Sequence, residues 1–315
     1  MRRLLVRSAF AGCFLFAAVS MGAVPKTVGT SASTDAWAIA ARVRAAKGIE
    51  QAGPIYELWN HWELADPLAI SAALKSLADD AALDPAARAL ATAFATTARL
   101  QLGDGTTARA LATSAGFASR WLVVGPFDHE GRSGFTPEIG PEIDRATILG
   151  LSTTYDGKDH RGVHWRLLPG DATPYGVVDL AAAIRPSTGA CAFATTFVAG
   201  PDVAEKDKSK KAAQKPIDAS LWVGASGSVR VYWNGERVLD DGAERGLTFD
   251  RAATAVTLEP GWNRLLVKVC GLDRTPSFAL RVADSKGAPI PGVRIDPDLR
   301  HADEVVALAK KPATG

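Results

Sequence analysis

Hydrophobic residues recur along this chain with two periods, and the change comes near Gly116. Before it the spacing is helical: Ile55, Leu58, Trp59 and Trp62 fall at i, i+3, i+4 and i+7 and share one stripe. Leu90, Ala93, Phe94 and Thr97 form another. Asp66-Pro67 and Asp84-Pro85 each set a capping carboxylate before a proline at the first helical position, where its missing N–H costs nothing. Both pairs mark helix starts. Small residues at Ala72, Ala73, Ala89 and Ala93 let antiparallel helices approach closely. Residues 35–116 are therefore expected to form a small Ala-rich bundle of about four or five helices.

Beyond it the period is two. Val229, Val231 and Trp233 alternate with Arg230, Tyr232 and Asn234, as in a strand with one face on a core. Asn234-Gly235 supplies the two positive-φ residues of a tight hairpin, so Glu236 to Leu239 should fold straight back. Leu265, Val267 and Val269 repeat the alternation after a Pro260-Gly261 turn. Similar short runs at 121–127, 163–168, 175–180, 191–199, 220–224, 254–258 and 278–283 bring the total to roughly nine or ten strands with Gly/Pro turns, the pattern of a two-sheet sandwich. The fold class expected is α+β in two domains: the helical bundle, then an antiparallel β-sandwich over 120–295, with a helix or tail over 296–315.

The order of these strands, with Trp233-Asn-Gly235, Gly261-Trp-Asn263 and Leu265-Leu-Val-Lys-Val269, resembles the galactose-binding-like jelly roll found beside many glycoside hydrolases. With Trp121-Leu-Val-Val-Gly-Pro-Phe127, residues 120–284 are similar to the sandwich domain of large exported bacterial tetratricopeptide-repeat proteins, some of which continue into a transglutaminase-like domain. The resemblance implies a jelly-roll fold, tetratricopeptide-like helices before it, and scaffold roles for the Asn-Gly and Gly-Trp-Asn residues. It implies no activity.

Residues 1–23 read as an export signal: a basic start, the apolar run Ala9 to Val19 and small residues at Ser20, Gly22 and Ala23. The protein is thus expected in the periplasm, at the cell surface or secreted, touching membrane only through a retained or lipidated leader; Phe10-Ala-Gly-Cys13 partly matches a lipoprotein box. Residues 24–34 read as a linker. Formal charge is +2, and without Arg2, Arg3 and Arg7 it becomes 2 − 3 = −1, so no basic field draws nucleic acid. The charged run 204–215 reads as a surface loop without core. Val305, Val306, Leu308 and Ala309 lie on one amphipathic helix that either packs back on the bundle or opens further repeats. Cys191 and Cys270 remain after the leader. Parity groups Cys191 with Phe193 and Phe197 but Cys270 with Lys268, which argues against a bridge unless a bulge brings them together.

Catalytic motifs are missing: the sequence has no Gly-x-Ser-x-Gly elbow, His-Glu-x-x-His, Cys-x-x-Cys or phosphate loop. The expectation is a non-catalytic binding or scaffolding protein of the cell envelope whose partner is another protein or a glycan. Its rivals are a hydrolase using the loop from Asp128 to Glu142, or the N-terminal part of a larger transglutaminase-like or repeat enzyme. Trp222 and Tyr232 face away from their strands' aliphatic sets, so with Arg230 they form either a stacking platform for sugars or the surface on which the bundle docks. No cofactor is required, although Asp128, Glu130, Glu138 and Glu142 are oxygen ligands of the kind calcium takes.

Overall fold

The computed structural model describes residues 28–143, 150–169, 173, 175–201, 215–302 and 305, the side chains of 28–34 excepted. The leader with Cys13, residues 204–214 of the charged run and the tail positions Val306, Leu308 and Ala309 lie outside the described residues. Five helices come first: α1 (Val28–Ala45), α2 (Ala52–Asn60), α3 (Pro67–Ala78), α4 (Pro85–Gln101) and α5 (Gly105–Ser114). Helix α1 starts inside the stretch expected as a linker, because no proline between Val28 and Thr34 interrupts it. Asp66 caps α3 by accepting the Leu68 N–H at 3.0 Å. Asp84 precedes α4 but accepts from Gly48 N–H at 2.6 Å, so its carboxylate ties the α1–α2 connection to the start of α4. Ile55, Leu58, Leu90, Ala93 and Phe94 are buried as their stripe requires. Trp62 lies two residues past the end of α2 and stacks on Trp59, ring centroids 5.3 Å apart.

The rest is mostly antiparallel sheet: β1 (Leu122–Asp128), β2 (Tyr155–Asp156), β3 (Gly162–Val163), β4 (Arg166–Leu167), β5 (Val177–Asp179), a one-turn α6 (Leu180–Ala183), β6 (Ala190–Ala199), β7 (Ile217–Ser226), β8 (Ser228–Trp233), β9 (Glu236–Asp241), β10 (Ala252–Leu258), β11 (Trp262–Gly271), β12 (Ser277–Asp284) and β13 (Arg294–Asp296). The larger sheet runs β4-β1-β6-β11-β8-β9, with β13 also on β6, and the smaller runs β10-β7-β12-β5. Val123, Val229, Val231, Trp233, Leu265, Val267 and Val269 of the first meet Leu221, Val223, Phe278, Leu280 and Val282 of the second in one buried core. Alternation dictates both inner faces.

The two recognised motifs meet at one sheet end. Asn234 and Gly235 take φ values of 49° and 88°, the hairpin geometry their types favour. Asn234 Nδ2 donates to Asn263 Oδ1 at 2.8 Å, and Asn234 Oδ1 accepts from Arg264 N–H at 2.8 Å. Asn263 closes its own turn by accepting Glu259 N–H at 3.0 Å and donating to Glu259 O at 2.9 Å. These amides pin two turns together, a structural duty.

The outer face of the larger sheet is covered by another layer, and that of the smaller sheet is covered in part. Residues 129–143 and 150–165 fold over the larger sheet, and Phe127, Tyr155, Val163 and Trp165 are buried with Leu122, Val124, Phe193, Tyr232 and Leu266. Cys191 and Cys270 sit directly opposite each other on β6 and β11 beneath this cover and form a disulfide. The parity argument against the bridge fails because Lys268 lies on that same covered face, fully buried. Its company with Cys270 signalled a second interior.

The smaller sheet takes the bundle on its outer face. Phe94 of α4 meets Phe249 edge-on at 5.5 Å, Phe249 lies 5.7 Å from Phe117, and Tyr56 Oη donates to Phe249 O at 2.6 Å. Residues 116–118 continue along β12 through Ala118 N–H to Leu280 O at 2.9 Å and Val282 N–H to Gly116 O at 3.2 Å. One buried cluster therefore contains the helices together with Phe117, Phe249 and Ala279.

Candidate functional site: the outer face of the smaller sheet

The bundle leaves uncovered a strip along β7 and the edge strand β10. Register pairs Trp222 with Ala253, Ser220 with Ala255 and Asp218 with Thr257. Because side chains two apart share a face, an indole, a hydroxyl and a carboxylate stand in a row on β7, beside the short side chains of β10. Small partners leave a groove of about 510 Å³, with Ser285 at its rim.

Trp222 is half-buried. The guanidinium of Arg281 lies 4.7 Å from its ring centroid, across the β7–β12 register, and indole Nε1 donates to Ser220 Oγ at 2.9 Å. Arg281 is itself fixed: Nε and Nη2 donate to Asp250 at 2.8–3.0 Å, and Nη1 donates to Gly287 O at 2.6 Å. Gly287, at φ 82°, packs between Ala86 of α4 and the indole, where a Cβ would overlap both. The rest of the indole opens into the groove. One side chain thus packs against Gly287, which lies on Ala86 of the docked bundle, while part of its ring stays open to the groove.

Tyr232 and Arg230 are elsewhere. Both point from β8 into the covered face of the larger sheet, 1% and 3% exposed, so they offer no platform. Glu142 is fully buried there: Oε1 accepts from Tyr232 Oη at 2.7 Å and Arg230 Nη1 at 2.9 Å, and Oε2 accepts from Lys268 Nζ at 2.6 Å and Ile139 N–H at 3.0 Å. Lys268 also donates to Phe135 O and Pro137 O at 3.1 and 3.0 Å, and Arg230 Nε to Asp240 at 3.2 Å. Desolvation pulls the Lys268 ammonium below its ordinary value, and desolvation followed by the Glu142 bond pushes the Tyr232 phenol up. The arrangement fastens residues 135–142 to the sheet.

The four carboxylates expected to ligate calcium are divided. Asp128 and Glu130 meet Lys158 Nζ at 3.2 and 2.6 Å, and Lys158 donates a third bond to Gly189 O at 2.8 Å. The Glu130 N–H and then Lys158 hold the Asp128 carboxyl below its ordinary value. Glu138 is exposed, and Glu142 is committed to the buried network. No three of these acids converge; among the described residues the only such group is His129 with Cys191 and Cys270, whose sulfurs are spent on each other. His129 is buried, accepts from Gly134 N–H at Nδ1 (3.2 Å), and lies 3.4 Å from Glu244 through Nε2, and desolvation pushes its pKa down.

Sequence reasoning passed over Asp218, Ser220, Thr257 and Arg281. The alternation that turns Trp222 outward turns Ser220 and Asp218 outward too, so that signal was present. Arg281, between Leu280 and Val282, gave a similar sign: a charge opposite two core residues.

No protein-family model matches this sequence, and no curated protein matches it significantly. Solved structures with some likeness include a β-glucosidase from Kluyveromyces marxianus in complex with glucose, at 16% identity and TM-score 0.29 over 52% of this chain and 15% of that one. A PA14 sugar-binding domain from an RTX adhesin aligns at 13% identity and TM-score 0.24, over 52% of this chain and 89% of that one. The PA14 domain of the MpAFP antifreeze protein aligns at 10% and 0.24, over 34% and 52%. This chain thus spans a small part of the glucosidase. Likenesses this slight carry no argument about the groove.

Proposed function

We propose that this is an exported, non-catalytic binding protein of the cell envelope, with a galactose-binding-like sandwich that holds a glycan in the groove of β7 and β10. The helices, of tetratricopeptide type, brace the opposite side of the Trp222 indole. The observation that carries the reading is the row Trp222, Ser220 and Asp218 on an open strip floored by small residues. A sugar ring lays its C–H face on an aromatic surface and its hydroxyls on a neighbouring carboxylate, the chemistry that Trp222 and Asp218 offer. Between them Ser220 Oγ, donating to Asp284 O at 2.6 Å and accepting the indole N–H, fixes the indole. A non-catalytic role agrees with the loop from Asp128 to Glu142, whose Asp128, Glu130 and Glu142 bind lysine and arginine, and with the bridged state of Cys191 and Cys270.

The test is binding to an oligosaccharide and cell-wall-fragment array, followed by calorimetry on any hit. Trp222→Ala and Asp218→Ala should each weaken the hit about tenfold or more, a loss of roughly 1.4 kcal/mol. A blank array, or a hit indifferent to both substitutions, would remove the groove as a glycan site.

A further inference from the structure

A second cavity lies at the seam. Helices α4 and α5 form one wall and residues 288–293, after β12, form the other, enclosing a cleft of about 1090 Å³. Seams between packed units are common ligand positions, and this volume is at the upper end of small-molecule pockets.

Its charge is mainly positive, two arginines against one lining acid, Asp79. Arg88 of α4 and Arg109 of α5 both line it, and neither makes an ion pair among the described residues. Arg88 Nε is shielded from solvent and has no hydrogen-bond partner. A shielded donor left unpaired is costly, and native structures usually satisfy it. Nearby acids do not neutralise the pair: Asp79 is bound by Lys75, and Asp80, within electrostatic reach of Arg88, accepts from Arg44 Nε at 2.8 Å. The hydroxyls of Thr92 and Thr113 donate to the carbonyls of Arg88 and Arg109 at 2.8 and 3.0 Å. The charged donors still available to a ligand are the two guanidiniums.

We propose that this cleft binds a small molecule carrying an oxyanion, a carboxylate or a phosphate, with Arg88 and Arg109 as its anchors and Pro289 to Pro291 as its apolar wall. Guanidinium groups meet both anions through paired N–H donors, which explains arginine here in place of lysine. The site is separate from the Trp222 groove and does not rest on the glycan reading.

Calorimetric titration of the purified protein with glucuronate, glucose 6-phosphate and glucose tests it. At least one anion should bind and glucose should not, and the stronger anion identifies the headgroup. Arg88→Gln and Arg109→Gln should each weaken binding roughly 10- to 150-fold, whereas Arg245→Gln, outside the lining of the cleft, should leave it unchanged. If Arg88→Gln unfolds the protein, Arg109→Gln, exposed on α5, decides alone. Failure of both anions to bind at about 10 mM, equal binding of glucose, or full affinity in the Arg109 variant overturns the proposal.

Discussion

Replacing Glu142 by Gln removes one negative charge from a site where nothing can substitute for it. Its two oxygens accept four bonds, three from Tyr232, Arg230 and Lys268, at 2.6–2.9 Å, and one from Ile139 N–H. Lys268 and Glu142 are both completely buried, so water cannot replace the lost partner. Breaking a buried pair from one side costs about 3–5 kcal/mol, because the remaining charge stays desolvated. Asp240 is 36% exposed, is shared between Arg230 and Arg237, and reaches Lys268 only through space. At about 2–4 °C per kcal/mol for a chain of this class, Tm should fall by roughly 6–20 °C. Urea unfolding followed by circular dichroism gives the free energy, and limited proteolysis between 129 and 165 reports whether the cover detaches first. Adding Lys268→Met removes the orphaned ammonium and should recover about 1–3 kcal/mol of the loss. A Glu142→Gln protein within about 0.5 kcal/mol of wild type would refute the reasoning, since that is the range of an ordinary surface substitution.

Three further results are expected. The Cys191/Cys270 bridge closes a separation of 79 residues, so replacing both by Ala should cost about 2–5 kcal/mol in urea unfolding; an unchanged midpoint would show that the covered face holds without it. His129, buried, resists protonation, whereas the unfolded chain gains its proton near the ordinary imidazole value of about 6.5. The unfolded state therefore binds more protons below that pH, so stability falls as pH drops through 6.5 toward the depressed folded value, and His129→Asn should flatten the slope. Asn263→Ala, which unpins both turns at the sheet end, should cost about 2–3 kcal/mol and shift the denaturation midpoint without changing the slope.

The strands and helices were legible because their apolar positions keep strict time. Val229, Val231 and Trp233 had one solution, and so did Ile55 and Leu58. The second covering layer was harder to read. Alternation tells which residues share a face, and it says nothing about whether another segment later lies on that face. Lys268 and Arg230 alternate with valines as surface residues would, and only the long-range return of Glu142, 126 residues away from Lys268, makes them interior. The same ignorance misdirected both the disulfide and the Tyr232 platform. Trp222 was reachable from sequence because its face is closed only in part, by Gly287 and Arg281. The seam cleft was invisible, since Arg88 and Arg109 are ordinary helix-surface residues until β12 and the segment after it come alongside.

The docking of Phe249 among Phe94, Phe117 and Tyr56 also bears on cooperativity. A division near residue 116 looks like a natural cut, yet the hydrophobic cluster of the helices includes side chains from more than 100 positions later. Ends that share one interior melt together, so the chain should give a single calorimetric endotherm with matching van't Hoff and calorimetric enthalpies. Damage to the helices would then be felt as lost rigidity behind the indole of Trp222, far from the substituted residue.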